Sequence, residues 1–210
     1  MPFETLAVRR AAHSVEDPWQ PPANAEAVRL VRATDGAAPR LATTVFAWYD
    51  EEALSILFAA ADDHVVANYT AHDDPLYEED VVEVFLAPSR LTEYYELEVS
   101  PLGILFDARL ESPDGVRATM TTDLAWTCEG LVAPVRKVVD AGGAMTLDTL
   151  LRIPFASLAV AVPSPGDTWR ANFFRIDRHP DGDELTAWQP TLKTPPDFHV
   201  AAAFGTLQFE

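Results

Sequence analysis

Between Val81 and Ala87 the chain alternates side chains with a period of two, the repeat of an extended strand. Val82, Val84 and Leu86 fall on one face, and Val81, Glu83, Phe85 and Ala87 on the other. Glu83 is the anomaly, a carboxylate among apolar neighbours. Just before it, Asp73-Asp74-Pro75-Leu76-Tyr77-Glu78-Glu79-Asp80 reads as an acidic turn ordered by Pro75, with Tyr77 near its tip. Residues 94–101 repeat the alternation, with Tyr94, Glu96 and Glu98 facing one way and Tyr95, Leu97 and Val99 the other. Similar runs predict strands at 5–10, 27–33, 43–50, 54–62, 103–110, 122–127, 131–140, 145–153, 168–178 and 204–209. Their breaks fall at Asp35-Gly36, Asp50-Glu51-Glu52-Ala53, Gly130, Gly142-Gly143 and Pro180-Asp181-Gly182-Asp183. Pro154 to Leu158 reads as a single helical turn. Pro18, Pro21 and Pro22 around Trp19 make 13–24 an irregular arm, pinned to the body by its tryptophan. Short strands, frequent turns and no long amphipathic helix predict an all-β fold, an antiparallel, jelly-roll-like β-sandwich. One domain over 1–210 is expected, with 1–24 as an arm packed on it.

Charge narrows the choice of partners. With 33 acidic against 15 basic residues among 210, the formal net charge is −18, which repels nucleic-acid phosphates and anionic membranes. Neither is an expected partner. The single cysteine, Cys128, excludes an internal disulfide and a multi-cysteine metal site. There is no signal-peptide pattern and no stretch of 18 apolar residues, so the expected location is cytoplasmic, or outside the cell if a signal was removed.

Several segments together carry a resemblance: Leu76-Tyr77-Glu78-Glu79-Asp80-Val81-Val82-Glu83-Val84-Phe85, Trp169-Arg170-Ala171-Asn172-Phe173, Trp188-Gln189-Pro190-Thr191 and the terminal Phe204-Gly205. From about Trp19 to the end, the chain resembles the family 9 carbohydrate-binding modules and related single-domain proteins. The resemblance implies a jelly-roll-like sandwich that grips the end of a glucan or xylan between two facing aromatic side chains. Tyr77 matches the first aromatic, Phe198 the second, and Glu83 the strand carboxylate. Two departures bear on sugar specificity. Glu96 stands where family members carry a basic residue, and Phe174 where they carry a polar one. Arg175, next door, substitutes only if the strand register differs by one. The resemblance also implies calcium sites in acidic loops, for which Asp62, Asp63 and Asp80 are the candidates.

The residues make chemical sense unaided. A pyranose has flat C–H faces and a rim of hydroxyls, which suit an aromatic platform with carboxylate and amide partners. Tyr77, Phe198, Glu83, Glu96, Asn172 and Arg175 are groups of that kind. Charged hydrogen bonds at about 1.5–3 kcal/mol and stacking at about 1 kcal/mol, less ordering costs, give micromolar to millimolar affinity. Each residue also has a plainer role open to it. Phe198 serves as a core anchor, Glu83 as a buried ion-pair partner of Arg170 or Arg175, and Asn172 as a brace for backbone groups. Trp19, Trp48, Trp126, Trp169 and Trp188 are assigned to packing. His72 and His199 belong to one rim if the sandwich brings their loops together. Two other functions compete with a noncatalytic sugar binder. One is a glycoside-processing enzyme pairing Glu83 with Glu96 or Asp80. The other is a haem-binding sandwich, for which Met120 and Met145 are the internal methionines and neither adjoins a histidine in sequence.

Overall fold

The computed structural model describes residues 4–14 and 16–210; the first three residues of the expected arm, and Val15 within it, lie outside that set. Fourteen strands follow in chain order: β1 (Thr5–Arg10), β2 (Ala27–Arg29), β3 (Val31–Arg32), β4 (Thr43–Tyr49), β5 (Ala53–Asp62), β6 (Val81–Arg90), β7 (Glu93–Val99), β8 (Leu105–Glu111), β9 (Thr121–Asp123), β10 (Val135–Val139), β11 (Met145–Pro154), β12 (Thr168–Asp177), β13 (Glu184–Ala187) and β14 (Gly205–Phe209). One layer runs β10-β11-β5-β4, and the other β14-β12-β6-β7-β8-β9. β1 joins them, pairing in parallel with β14 through Thr5 to Val8 and with β4 through Arg9 and Arg10. The remaining strand pairs are antiparallel, and the path ends at β10 and β9 without closing into a barrel.

The alternation seen in the sequence explains the core. Val45, Ala47 and Tyr49 of β4, with Leu54, Ile56 and Phe58 of β5, meet Val82, Val84 and Leu86 of β6 and Tyr95, Leu97 and Val99 of β7 between the layers. The outer face of the second layer is apolar too. Val81, Phe85, Tyr94, Phe106, Phe174, Phe198 and Phe204 form a second buried cluster there. Since loops cover this face, it can bury polar residues beneath them, and the candidate site is built on it.

Three expected strands differ in extent. The 27–33 run breaks at Leu30, whose N–H bonds to Thr43 O. β2 then pairs with β4 in the first layer and β3 with β13 in the second, so the chain changes layers there. The 131–140 run becomes regular only at Val135, because Pro134 has no N–H for the ladder; Val132 makes an isolated bridge to Arg152. The 122–127 run ends at Asp123, whose carboxylate accepts the Ala125 N–H and turns the chain. At 154–158, successive i→i+3 bonds, Ser157 to Pro154 and Leu158 to Phe155, make the expected turn. β13 escaped sequence reading. It is short and pairs with β12 and β3. Trp19 packs on Trp48, Leu57 and Leu150, with Arg136 4.7 Å above its ring, which fixes the arm to the first layer. Gly205 answers for the terminal Phe-Gly pair: a Cβ there would lie 2.5 Å from the Trp188 ring.

Candidate functional site

β6 and β7 pair Glu83 with Glu98 and Phe85 with Glu96, while β12 sets Phe174 beside Glu83. The three glutamates therefore share the outer face of the second layer. Glu83 and Glu96 form the floor of a cleft of about 830 Å³ with Glu98 fully buried beside them, and Tyr77, Phe106, Met120, Leu124, Phe198 and His199 form the walls. Arg117, Arg178, Lys193 and Asp197 complete the rim, together with Thr194, Pro195 and Pro196.

Tyr77 sits in a short 3-10 turn, Leu76–Glu78, anchored by the buried Leu76. Its ring is 48% exposed and meets Phe106 edge-on, with centroids 6.1 Å apart. Arg178 fixes the turn from across the cleft, donating to Tyr77 O at 2.7 Å and to Asp183 Oδ2 at 2.6 Å. Phe198 is 7% exposed and stacks on Phe174 at 4.2 Å and 15°. It lines the same cleft as Tyr77, yet most of its surface is spent on the core. The replacement at Phe174 thus supplies the ring on which Phe198 rests.

His199 is held by its neighbours. Its Nδ1 lies 3.0 Å from the Tyr94 hydroxyl, and its Nε2 is 3.7 Å from Glu96 Oε1. Asp197 accepts the His199 N–H and pairs with Arg117 at 2.8 Å. Burial, aided by Arg117, pushes the imidazole down to about 4, so it is neutral at pH 7. The Tyr94 hydroxyl also reaches Met120 Sδ at 3.2 Å. Met120 and His199, far apart in sequence, therefore meet here. What joins them is the Tyr94 hydroxyl, and nothing in this arrangement favours a haem.

Burial dominates the floor. It pushes Glu96 up to about 7, against the pull of Glu98 and Arg117. Glu83 and Glu98 rise well above the ordinary carboxylate range, through burial first and the neighbouring glutamates second. No hydrogen bond of normal geometry reaches Glu83 Oε1 or either oxygen of Glu98, although Glu96 and the Tyr77 N–H lie close enough to bias the Glu98 proton.

Not every residue singled out in the sequence joins this floor. Asn172 is fully buried and braces the chain after β13, with Nδ2 to Gln189 O at 2.8 Å and Oδ1 accepting the Gln189 N–H at 2.9 Å. Arg175 is on the other side of the sheet. Asn172, Phe174 and Ile176 face outward from β12 in the regular register, so Arg175 turns inward, to Asp62 Oδ2 at 2.8 Å and Ala61 O at 2.7 Å. Glu83 pairs with neither Arg170, which donates to Gly205 O and Phe204 O, nor Arg175. His72 sits with Asp73 and Asp107 instead of lining the cleft.

For calcium, the structure gathers Asp62 and Asp80 with Asp177, their oxygens within 4.8 Å of one another. Asp63 turns outward to Arg40 at 2.6 Å. Arg175 contacts Asp62 at 2.8 Å and Asp177 at 3.4 Å, Arg40 contacts Asp177 at 2.9 Å, and the N–H groups of Val66 and Arg178 bond to Asp80. Guanidinium groups already hold Asp62 and Asp177 and backbone N–H groups hold Asp80, so the oxygens an ion would need are taken and the residues present do not fit the expected calcium.

A family model for carbohydrate-binding family 9 matches residues 36–209. The chain belongs to that family. No curated protein sequence matches it. Solved structures show the same sandwich. A carbohydrate-binding family 9 module from Caldicellulosiruptor kristjanssonii in complex with cellotriose matches with a TM-score of 0.64 and 13% identity, over 99% of this chain and 94% of that one. Its glucose complex gives 0.62 and 13%, over 99% and 96%. A Bacteroides uniformis protein provisionally named as carbohydrate-binding gives 0.75 and 19%, over 99% and 100%. Family 9 is a family of noncatalytic binding modules, and sugar binding is this chain's function too. Sequence reasoning passed over Arg178 and Arg117 at the rim of the family 9 cleft and Glu98 buried beside its floor. The period-two signal was there for two of them: Glu98 shares a face with Glu96, and Arg178 continues the outward series of β12. Arg117 lies in the short 3-10 turn Arg117–Thr119, where no periodicity marks it.

Proposed function

We propose that the cleft holds one end of a glucan-type oligosaccharide, with Tyr77 as the stacking platform and Glu83 and Glu96 as the polar floor. One observation carries this reading: an exposed aromatic ring stands over buried, unsatisfied carboxyls in an open cleft of a family 9 chain. The ring covers a C–H face of the sugar, and a hydroxyl supplies the hydrogen-bond partner that Glu83 Oε1 lacks. Phe198 contributes its edge as the opposite wall. The Caldicellulosiruptor complexes with cellotriose and glucose support a β-glucan end as the ligand class.

Catalysis is a poorer use of this floor. A glycosidase needs one ionised and one protonated carboxyl, at about 5 Å or more. Here burial favours protonation of all three, which disfavours the ionised partner that such a pair needs.

Calorimetric titration with cellotriose tests the proposal. Tyr77→Ala removes a half-exposed ring, so affinity falls about tenfold, by about 1 kcal/mol or somewhat more, while the melting temperature barely moves. Unchanged affinity in this variant would remove Tyr77 from the site.

A further inference from the structure

Glu83, Glu96 and Glu98 are 2%, 6% and 0% exposed, and one oxygen from each lies within 4.8 Å of the others. Among the described residues no guanidinium or ammonium pairs with them. Arg178 gives its two terminal nitrogens to Tyr77 O and Asp183 while its buried Nε has no hydrogen-bond partner, and Arg117 pairs with Asp197; each acts on the floor, Arg178 on Glu83 and Arg117 on Glu96, only through its charge. The one imidazole in range, His199, is 3.7 Å from Glu96. Glu83 Oε1 and both Glu98 oxygens are buried without a hydrogen-bond partner. Three carboxyls brought together without a cation stand in contrast to Asp62, Asp80 and Asp177, which have two arginines. A buried carboxyl either keeps its proton or, once ionised, needs a cation or a metal beside it.

We propose that Glu83, Glu96 and Glu98 form a binding site for a divalent cation, calcium in type, with open coordination positions facing the cleft. All-carboxylate donors select hard, oxygen-preferring ions over zinc or copper. Calcium–oxygen bonds of about 2.4 Å let one ion bridge oxygens up to about 4.8 Å apart, and one oxygen of each glutamate lies within that reach of the others. Magnesium, with strict octahedral demands and a reluctance to give up its waters, suits a floor made only of protein carboxylates less well. Glu98 is absent from the cleft lining and fully buried, so it grips the ion from beneath, whereas Glu83 and Glu96 reach it from the floor. An ammonium group on an organic ligand would enter from the cleft and meet only the upper two. Calcium takes six to eight oxygens, which leaves places on the cleft side for vicinal hydroxyls or water. The cation site stands without any sugar; only the hydroxyl contact rests on the saccharide reading above.

Chelator-stripped protein is titrated with calcium chloride by calorimetry and with terbium chloride by luminescence, in the absence of sugar. The wild type is expected to bind. Glu98→Gln, which touches no sugar, weakens binding at least tenfold, and Asp80→Asn retains it. Glu83→Gln is the second variant, and thermal melting in EDTA verifies that each is folded. No calcium binding in the wild type, or binding lost in Asp80→Asn but kept in Glu98→Gln, overturns the site and leaves a proton-sharing carboxyl cluster. Cellotriose is then titrated with calcium and with EDTA. Binding only with calcium supports the shared site, and equal binding in both overturns the hydroxyl contact alone. Calcium binding with no cellotriose binding in either overturns the saccharide reading and keeps the cation.

Discussion

Glu96 shows how one side chain's surroundings set its chemistry. Exposed, it would ionise near its ordinary value. Buried beside Glu98 and a neutral His199, it holds its proton up to about 7. A carboxyl whose folded value exceeds its unfolded one stabilises the fold fully below the unfolded value, and loses that contribution as pH rises through the folded value. In EDTA, the metal-free protein is therefore expected to lose stability from this source between about pH 4.5 and about pH 7. Glu96→Gln removes the buried charge. It should be more stable than wild type at pH 8 by about 1–3 kcal/mol and close to it at pH 4.5, as read by denaturant unfolding. Equal stability at both pH values would mean that Glu96 is not held in this environment. Phe198 shows the converse at the same scale. Its residue type suited both roles, and only its 4.2 Å stack on Phe174 reveals that it serves the core and the cleft wall together.

At the scale of elements, β12 decides which arginine belongs to the site. Asn172, Phe174 and Ile176 face outward, so Arg175 enters the space between the layers, where Thr43, Ala61 and Asp62 receive it. Arg175→Met leaves Asp62 without its 2.8 Å partner. Stability is expected to fall by about 3–5 kcal/mol in thermal or urea unfolding, while cellotriose affinity of the folded fraction stays unchanged. A loss of affinity with intact stability would return Arg175 to the binding site. The register was legible in principle, since a period of two puts Arg175 and Glu83 on opposite faces once Phe174 is set beside Glu83. What the sequence lacked was the pairing partner. The same gap hid β13, a four-residue strand between turns whose ladder exists only through β12 and β3.

For the whole molecule, a formal charge of −18 acts as a diffuse self-repulsion that no single pair relieves. Salt shortens its range from about 30 Å at 0.01 M to about 8 Å at 0.15 M. Raising sodium chloride between those values should stabilise the fold by about 1 kcal/mol, or about 2–4 °C in melting temperature. A falling melting temperature would show that exposed ion pairs such as Arg10 with Glu51 outweigh the repulsion. Among the described residues no helix is long and apolar enough to cross a membrane.

The sequence by itself determined the strands, their apolar faces and the carboxylate strand behind the Tyr77 turn, because side-chain alternation and turn residues act over a few neighbours. It also held the marks of family 9: the Val-Glu-Val-Phe strand, the Arg-Ala-Asn-Phe strand and Phe204-Gly205, where the Trp188 ring leaves no room for a side chain. Tertiary structure alone decided which acidic residues meet. Asp177 joins Asp62 and Asp80 while Asp63 turns away, and Glu98 closes a trio with Glu83 and Glu96 beneath the cleft. Those groupings depend on strand pairing between segments distant in sequence and on loops that exclude water. Both are properties of the packed layers, and no local pattern encodes them.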